Sequence, residues 1–401
     1  MAADPASTAA WLARNAVDCL PDGGLARKLE LGRALRVKLG VDPTAPDIHL
    51  GHTVVLGKLR EFQELGHTVV LIVGDYTARV GDPSGRSSLR PVLAPEQIDA
   101  NARTYQEQAL AVLDDRLLEV RFNGEWLDMS MARLFELTRT TTVSQLLERD
   151  DFAKRYAARE PISVSELLYP LMQGYDSVAI EADVELGGTD QKFNLLLGRD
   201  IQRYYGQPEQ VILTMGLLTG TDGERKMSKS YGNQIGVADG PNEIYGRTLS
   251  VPDPALATWY ELLLGTGLPA GEPPRDAKRF LARALVRRFH GEAAATAAEQ
   301  RFDAVHVRHE VPGDAPVVCF SAGDGGAVHM PALLARAFSL STSDARRALA
   351  QGAVRVDGAV LVAEPLDLPA AALDGRVLQF GRRRSARIQI RPDERDERGE
   401  C

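Results

Sequence analysis

The chain has 401 residues, with 47 Lys+Arg against 55 Asp+Glu, a formal net charge of −8 and 44% hydrophobic residues. That is the composition of a folded globular protein of two or three domains; it excludes wholesale disorder, a collagen-like repeat and a disulfide scaffold. Taken alone, the acidic total also argues against a nucleic-acid partner.

The first clear unit runs from Leu35 to Asp75. Arg36–Val41 alternates as a strand does. Asp42-Pro-Thr-Ala-Pro-Asp47 is a turn-rich connection. A helical pattern follows from about His52, with Val55, Leu59, Phe62 and Leu65 on one face and Gly66 as its stop. His67–Gly74 then reads as a buried parallel strand. Strand, helix, strand is the right-handed crossover of an open parallel sheet, and such sheets bind ligands at the carboxyl ends of their strands.

Pro91 to about Leu168 reads as mostly helical. The sheet is expected to resume at Val178–Val184 and Val211–Met215, so a helical insertion (about 115–175) splits it and offers a surface for self-association. Pro252–Val311 is again helical, with its best segment at Asp276–Phe289. The expected fold class is therefore α/β. A Rossmann-like doubly wound sheet over 1–232 carries the insertion, a helical domain spans 233–320, a Gly/Asp-containing linker spans 321–329, a small α+β module spans 330–392 and a charged tail spans 393–401.

Nothing in the first residues reads as a signal peptide, and no run of about 18 apolar residues would cross a membrane, so a cytoplasmic protein is expected. Cys19, Cys319 and Cys401 lie far apart without C-x-x-C spacing, so no protein-bound zinc is expected.

Two short motifs carry chemistry. His49-Leu-Gly51-His52 stands at a helix entrance, where free N–H groups and the helix dipole favour an anion. Imidazole donors and the Thr44 hydroxyl would extend a phosphate cradle there, and Gly51 leaves room for a flat ring against the backbone. A chance motif on a surface turn is the alternative. Lys226-Met-Ser-Lys229-Ser places two lysines three residues apart on a loop able to close over phosphates. A solvated basic loop is its alternative. Gly81-Asp-Pro-Ser-Gly-Arg-Ser87 fails the spacing of a P-loop and lacks its lysine.

Together the two motifs resemble those of class I aminoacyl-tRNA synthetases. Lys38–Thr44, Gly81–Arg86, Tyr169-Pro-Leu-Met-Gln173-Gly-Tyr-Asp176 and Gly187-Gly188-Thr-Asp190-Gln191 make the chain similar to the bacterial tyrosine-specific ligases of that class. Spacings of four and three put Tyr169, Gln173 and Asp176 on one helical face, where a buried Asp176 would accept a hydrogen bond from a substrate phenol that phenylalanine lacks.

The resemblance implies that Tyr169, Gln173 and Asp82 bind the substrate ammonium, that Asp176 binds its hydroxyl, with Thr77 nearby, and that Gln191 lies near the carboxylate. It also implies ATP contacts from Gly40, Asp42, Gly51, Gly188, Asp190 and Lys229. Phosphate stabilisation would come from Thr44, His49, His52, Lys226 and Lys229, and magnesium would enter with the ATP phosphates. Its further implications are tRNA as partner and a homodimer. One position departs from the family pattern: Lys38 stands where many members have a tyrosine that contributes to phenol recognition.

The final module resembles the small RNA-binding domain first named from ribosomal protein S-four. Residues 331–392 hold ten Arg, no Lys and five Asp+Glu, a net +5. Arg346, Arg347, Arg355 and Arg382 are its candidate RNA contacts, with a solvated charged face as the alternative. The acidic total is thus an average over unlike parts. The rival functions are a tryptophan-specific ligase, a noncatalytic RNA-binding paralogue and another adenylyl transferase acting on a small acid.

Overall fold

The computed structural model describes residues 4–43, 48–82, 94–308, 315–323, 326–361, 364–381 and 384–391. The chain divides into two compact units, Met1–Phe289 and His290–Cys401.

The first unit is built on a six-stranded sheet. Its strands are β1 (Ala16–Leu20), β2 (Arg36–Val41), β3 (Thr68–Val73), β4 (Leu118–Phe122), β5 (Val184–Gly188) and β6 (Val211–Met215), in the order β1-β6-β5-β2-β3-β4. All neighbours are parallel except β1, which runs antiparallel to β6 at one edge. From β2 the chain winds outward through β3 to β4, and then returns to β5 and β6 on the other side. The switch point therefore lies between β2 and β5, where the carboxyl ends of the strands open a crevice. Val69–Ile72 are wholly buried, as a strand covered on both faces requires.

The Leu50–Glu64 helix joins β2 to β3 and buries Val54, Leu56, Leu59 and Phe62. Its buried stripe is turned slightly from the expected one, so Leu65 is exposed.

Three elements differ from the sequence expectation. Val178–Val184 is not a strand: the Val164–Ala179 helix runs through Val178, Glu181 turns the chain at φ 51, and the strand begins only at Val184. A Ser163–Glu166 capping box starts that helix, and its apolar period carries it past Pro170 to the short run that resembled a strand. β4 lies inside the stretch expected to be helical; Leu118, Val120 and Phe122 alternate with Glu119 and Arg121, a strand period that surrounding helices masked. β1 was not expected at all. Residues 124–179, between β4 and β5, are mainly helical.

The Leu256–Leu264 helix packs on Leu50–Glu64 within the first unit. The following helix, Pro274–Phe302, leaves helical geometry at Gly291 (φ 84, ψ 170), next to the boundary between the units.

The second unit holds a five-stranded sheet in the order β10-β9-β12-β13-β7 and a two-stranded pair of β8 and β11. The strands are β7 (Val317–Ser321), β8 (Ala327–His329), β9 (Val354–Val356), β10 (Ala359–Val360), β11 (Asp367–Pro369), β12 (Val377–Phe380) and β13 (Arg384–Arg391). Its helices Met330–Phe338 and Thr342–Ala350 bury Leu333, Leu334, Ala345 and Leu349 against Val354, Leu378 and Ile388. Ser321 ends β7 and Ala327 opens β8, so the glycine-containing stretch read as a linker is a connection inside this unit. β7 pairs in parallel with β13, and the sheet therefore begins before residue 330.

Candidate active site

The residues singled out by sequence gather at the carboxyl ends of the parallel strands. Asp42 follows β2, Thr77 and Asp82 follow β3, and Gly188, Asp190 and Gln191 end or follow β5. The Val164–Ala179 helix contributes Tyr169, Gln173 and Asp176.

Tyr169 and Asp42 are direct partners. The Tyr169 hydroxyl donates to Asp42 Oδ2 at 2.9 Å, and Thr77 Oγ1 donates to Asp42 Oδ1 at 2.7 Å. Burial, followed by the charge of Asp42, holds the Tyr169 phenol well above its ordinary pKa, so it is a neutral donor. Gly74 is required here: a Cβ would lie 2.1 Å from Asp42 Oδ1 and 2.3 Å from Thr77 Oγ1. Asp42, expected on the nucleotide side, is thus bonded to two residues expected on the amino-acid side.

Gln173 and Gln191 are joined through Asn194, whose Nδ2 donates to both side-chain carbonyls at 2.9 Å. Gln191 Nε2 donates to Asp82 Oδ2 at 3.0 Å, and Arg149 approaches Asp82 Oδ1 at 3.5 Å and Asn194 Oδ1 at 3.2 Å. One hydrogen-bonded array therefore holds three of the sequence candidates. Its organisers, Asn194 and Arg149, carried no motif.

Asp176 is only 3% exposed. Its Oδ1 accepts from Trp126 Nε1 at 2.8 Å and its Oδ2 from Asn123 Nδ2 at 3.4 Å. Burial pushes its carboxyl up to about 7, against the lowering effects of Lys38 and of the two donors. Lys38 itself is fully buried and pairs with Glu185 at 2.8 Å. It also donates to Ser177 Oγ at 2.7 Å and to the Gln173 carbonyl at 2.8 Å. The position where many members of the class have a tyrosine therefore holds a structural ion pair behind the site.

On the other side of the crevice, His49 caps the Leu50–Glu64 helix and stacks on His52 with ring centroids 3.9 Å apart. His52 Nδ1 accepts from the His49 backbone N–H at 3.2 Å, so a neutral His52 carries its proton on Nε2. Burial pushes both imidazoles down, to about 3 for His49, where His52 adds to the effect, and to about 4 for His52. At neutral pH the pair offers N–H donors rather than charge. A Cβ on Gly51 would meet the His49 ring at 3.0 Å, so Gly51 makes room first for that ring. Gly40 is exposed at the end of β2. Thr44 lies outside the described residues, as do residues 83–87 of the rejected P-loop stretch.

The lysine loop is tied to the histidine motif through the backbone. Leu50 N–H donates to the Ile235 carbonyl, and Val237 N–H to the Ile48 carbonyl, each at 2.9 Å. Asn233 anchors the loop by accepting from Ser228 N–H and donating to Asp222, at 2.8 and 2.9 Å. Met227 is buried, while Lys226 and Lys229 on either side are exposed. Lys226 Nζ pairs with Asp190 Oδ2 at 3.0 Å. A Cβ on Gly188 would strike Asp190 Oδ1 at 2.6 Å and Leu217 at 2.8 Å.

In the second unit Arg346, Arg347 and Arg355 are exposed. Arg347 pairs with Asp344, one turn earlier on its helix. Arg382 lies outside the described residues, and Arg384 lies over the Phe380 ring at 4.2 Å.

An open, mostly parallel sheet with a helix-capping histidine pair, a lysine loop bonded to it and a crevice backed by buried polar side chains is the arrangement of a class I aminoacyl-tRNA synthetase. The chain belongs to the class I tRNA synthetases of the tryptophan and tyrosine type, whose family model matches residues 30–307.

Within that family its relatives are tyrosine–tRNA ligases. It is 49% identical over 394 residues to the one from Moorella thermoacetica, covering 94% of each chain, and 48% identical over 391 residues to the one from Thermotoga maritima, covering 94% of this chain and 96% of that one. Among solved structures, the tyrosyl-tRNA synthetase from Aeropyrum pernix shares the fold with a TM-score of 0.59 at 20% identity, over 74% of this chain and 98% of that one. The enzyme from Archaeoglobus fulgidus, complexed with L-tyrosine, gives the same score at 23% identity, over 74% of this chain and 99% of that one.

Proposed function

We propose that the chain activates L-tyrosine with ATP and transfers it to its cognate tRNA, and that the residues gathered at the crevice divide that work as follows. The observation that carries the reading is the buried Asp176, on one helical face with Tyr169 and Gln173. It is a hydrogen-bond acceptor held where water cannot replace a missing phenol. A phenylalanine side chain would leave that acceptor short of a partner, and a buried group so deprived costs free energy. The family includes tryptophan enzymes, but an indole presents its donor at a different place from a phenol.

Tyr169, Gln173 and Asp82 take the ammonium, and Gln191 lies toward the carboxylate. Thr77 orients Asp42. The tyrosine carboxylate is ionised at neutral pH, so it attacks the α-phosphate without a general base. The bond to pyrophosphate breaks as the acyl-phosphate bond forms, giving tyrosyl-adenylate. Catalysis then consists of positioning and of charge stabilisation on the leaving group. His49 and His52 donate N–H bonds, Lys226 and Lys229 supply positive charge, and Thr44 supplies a hydroxyl. Gly40, Asp42, Gly51, Gly188 and Asp190 line the adenosine, with Asp190 as acceptor for the ribose hydroxyls. Magnesium enters as part of the ATP substrate, bound to its phosphates. A terminal ribose hydroxyl of the tRNA next attacks the adenylate carbonyl and AMP leaves.

Arg346, Arg347, Arg355 and Arg382 of the basic module contact tRNA phosphates. Met131, Phe135, Val143 and Val164 are exposed apolar side chains on the helices between β4 and β5, which supports a homodimer formed through that region. No helix among the described residues is long and apolar enough to cross a membrane, and the cytoplasm is the compartment we assign.

Pyrophosphate exchange run with each of the twenty amino acids tests the activity. Exchange confined to tyrosine supports it, and exchange led by tryptophan, or none with any amino acid, contradicts it.

A further inference from the structure

Arg149 stands at the N-cap of the Asp150–Ala157 helix, in the stretch between β4 and β5, and is 5% exposed. Its guanidinium meets groups from three parts of the chain. Nε lies 2.8 Å from Asp151 Oδ1 on its own helix. Nη1 donates to Asn194 Oδ1 at 3.2 Å, on the Lys192–Tyr204 helix, and Nη2 to Asp82 Oδ1 at 3.5 Å, beyond β3. The buried Phe152 ring lies 5.1 Å from the same group. An arginine stays charged at any working pH, so its burial needs carboxylates close by, and its planar fork fixes where its acceptors stand.

Asp151 is the nearer of the two carboxylates. Its Oδ2 is buried with no hydrogen-bond partner among the described residues, so its charge is directed at Arg149. Arg149, Asp151 and Asp82 together are net negative, which suits a substrate ammonium at Asp82 in spite of the nearby guanidinium.

The second contact acts at longer range. A guanidinium only donates, so Asn194 must turn its carbonyl toward Arg149. Its Nδ2 then faces the Gln173 and Gln191 carbonyls at 2.9 Å each. With its carbonyl so engaged, Gln191 turns its own Nε2 to Asp82 Oδ2 at 3.0 Å. A flipped Asn194 would set donor against donor at Arg149 and acceptor against acceptor at both glutamines. One guanidinium therefore sets the orientation of three amides and meets the carboxylate that they enclose.

We propose that Arg149 is a positioning residue for the ammonium end of the tyrosine: without touching the substrate, it fixes the Asp82 carboxylate directly and the Gln173 and Gln191 amides through Asn194. The helical stretch between β4 and β5 thereby contributes to amino-acid binding from behind the crevice.

The inference rests on the reading of Asp82 and Gln173 as ammonium ligands, and the experiment separates the two. In the full-length enzyme, KM and kcat for tyrosine are measured by pyrophosphate exchange, together with the inhibition constants of two fragments. Tyramine keeps the ammonium and phenol without the carboxylate, and deaminotyrosine keeps the carboxylate and phenol without the ammonium. Arg149→Lys retains a charge beside Asp151 but loses the fork that spans Asn194 and Asp82. Arg149→Met combined with Asp151→Leu removes the ion pair as a unit, which strands no charge and leaves the net charge facing the ammonium unaltered.

In both variants the KM for tyrosine and the inhibition constant of tyramine should rise about tenfold, while kcat and the inhibition constant of deaminotyrosine stay within about twofold. An equal rise for all three ligands makes Arg149 merely structural and overturns the inference. A wild-type profile in either variant also overturns it. Asp82→Asn should weaken tyrosine and tyramine with the same selectivity. If it does so and the Arg149 variants do not, the inference alone falls. If Asp82→Asn spares the two ammonium ligands, the reading of Asp82 falls and the inference with it.

Discussion

The two sides of the crevice are built from opposite materials. The side that we assign to the amino acid is buried and closed: Asp176, Asn123, Lys38 and Glu185 are nearly or wholly removed from solvent, and each has named partners. The side that we assign to the nucleotide is open. Lys226 and Lys229 are exposed, and Lys226 pairs with Asp190 across the mouth. The difference follows from the two tasks. Telling tyrosine from phenylalanine needs polar groups that water cannot satisfy, so they must be fixed and dry. Accelerating attack on a phosphate needs groups that engage more strongly in the transition state than before it, which a loop can provide and a packed core cannot.

If that division is right, damage to each side should read out differently, and the largest effect lies in the closed side. Lys38→Met strands Glu185 in the core, and should lower unfolding stability in denaturant by about 3–5 kcal/mol. A companion Glu185→Leu should restore much of it, and a loss below about 1 kcal/mol would break the picture of a rigid base.

On the open side, Lys229→Ala should leave stability unchanged yet slow adenylate formation by about 10²–10³-fold in single-turnover measurements. Equal losses in rate and in tyrosine affinity would deny the loop its transition-state role. Further out, Arg346→Glu combined with Arg347→Glu should spare pyrophosphate exchange but weaken tRNA charging by about tenfold or more at physiological salt. Normal charging would remove the module from tRNA binding.

The smallest effect concerns the histidine pair. Both imidazoles titrate below their ordinary range in the folded chain. Their contribution to stability is therefore present above about pH 6.5 and is lost as pH falls toward 4. His52→Asn should flatten the acid limb of an unfolding-versus-pH curve by on the order of 1 kcal/mol, allowing for the solvent that reaches the rings. An unchanged limb would mean that the pair is not held neutral by burial.

The same contrast explains what the sequence discloses. The groups that we assign to phosphate come as short motifs, because a helix end and a loop each present neighbouring residues together. His49-Leu-Gly-His52 and Lys226-Met-Ser-Lys229 are legible for that reason. Tyr169, Gln173 and Asp176 are legible because a helix spaces one face at three and four residues.

The closed side draws on residues far apart in the chain. Trp126 and Asn123 reach Asp176 from a strand end 50 and 53 residues away, and Lys38 meets Ser177 139 residues on. No local pattern announces such contacts. They depend on β4, whose five-residue alternation is easily lost among helices. Val178 misled for the converse reason, since a short apolar run at a helix end looks like a strand start.

The most direct measurement is the ratio of kcat/KM for tyrosine to that for phenylalanine in Asp176→Asn. It is taken by pyrophosphate exchange at pH 8, above the point where burial leaves the wild-type carboxyl half ionised at about 7. The account predicts that the ratio falls at least about tenfold, with the KM for ATP unaltered. A ratio equal to that of wild type would contradict it.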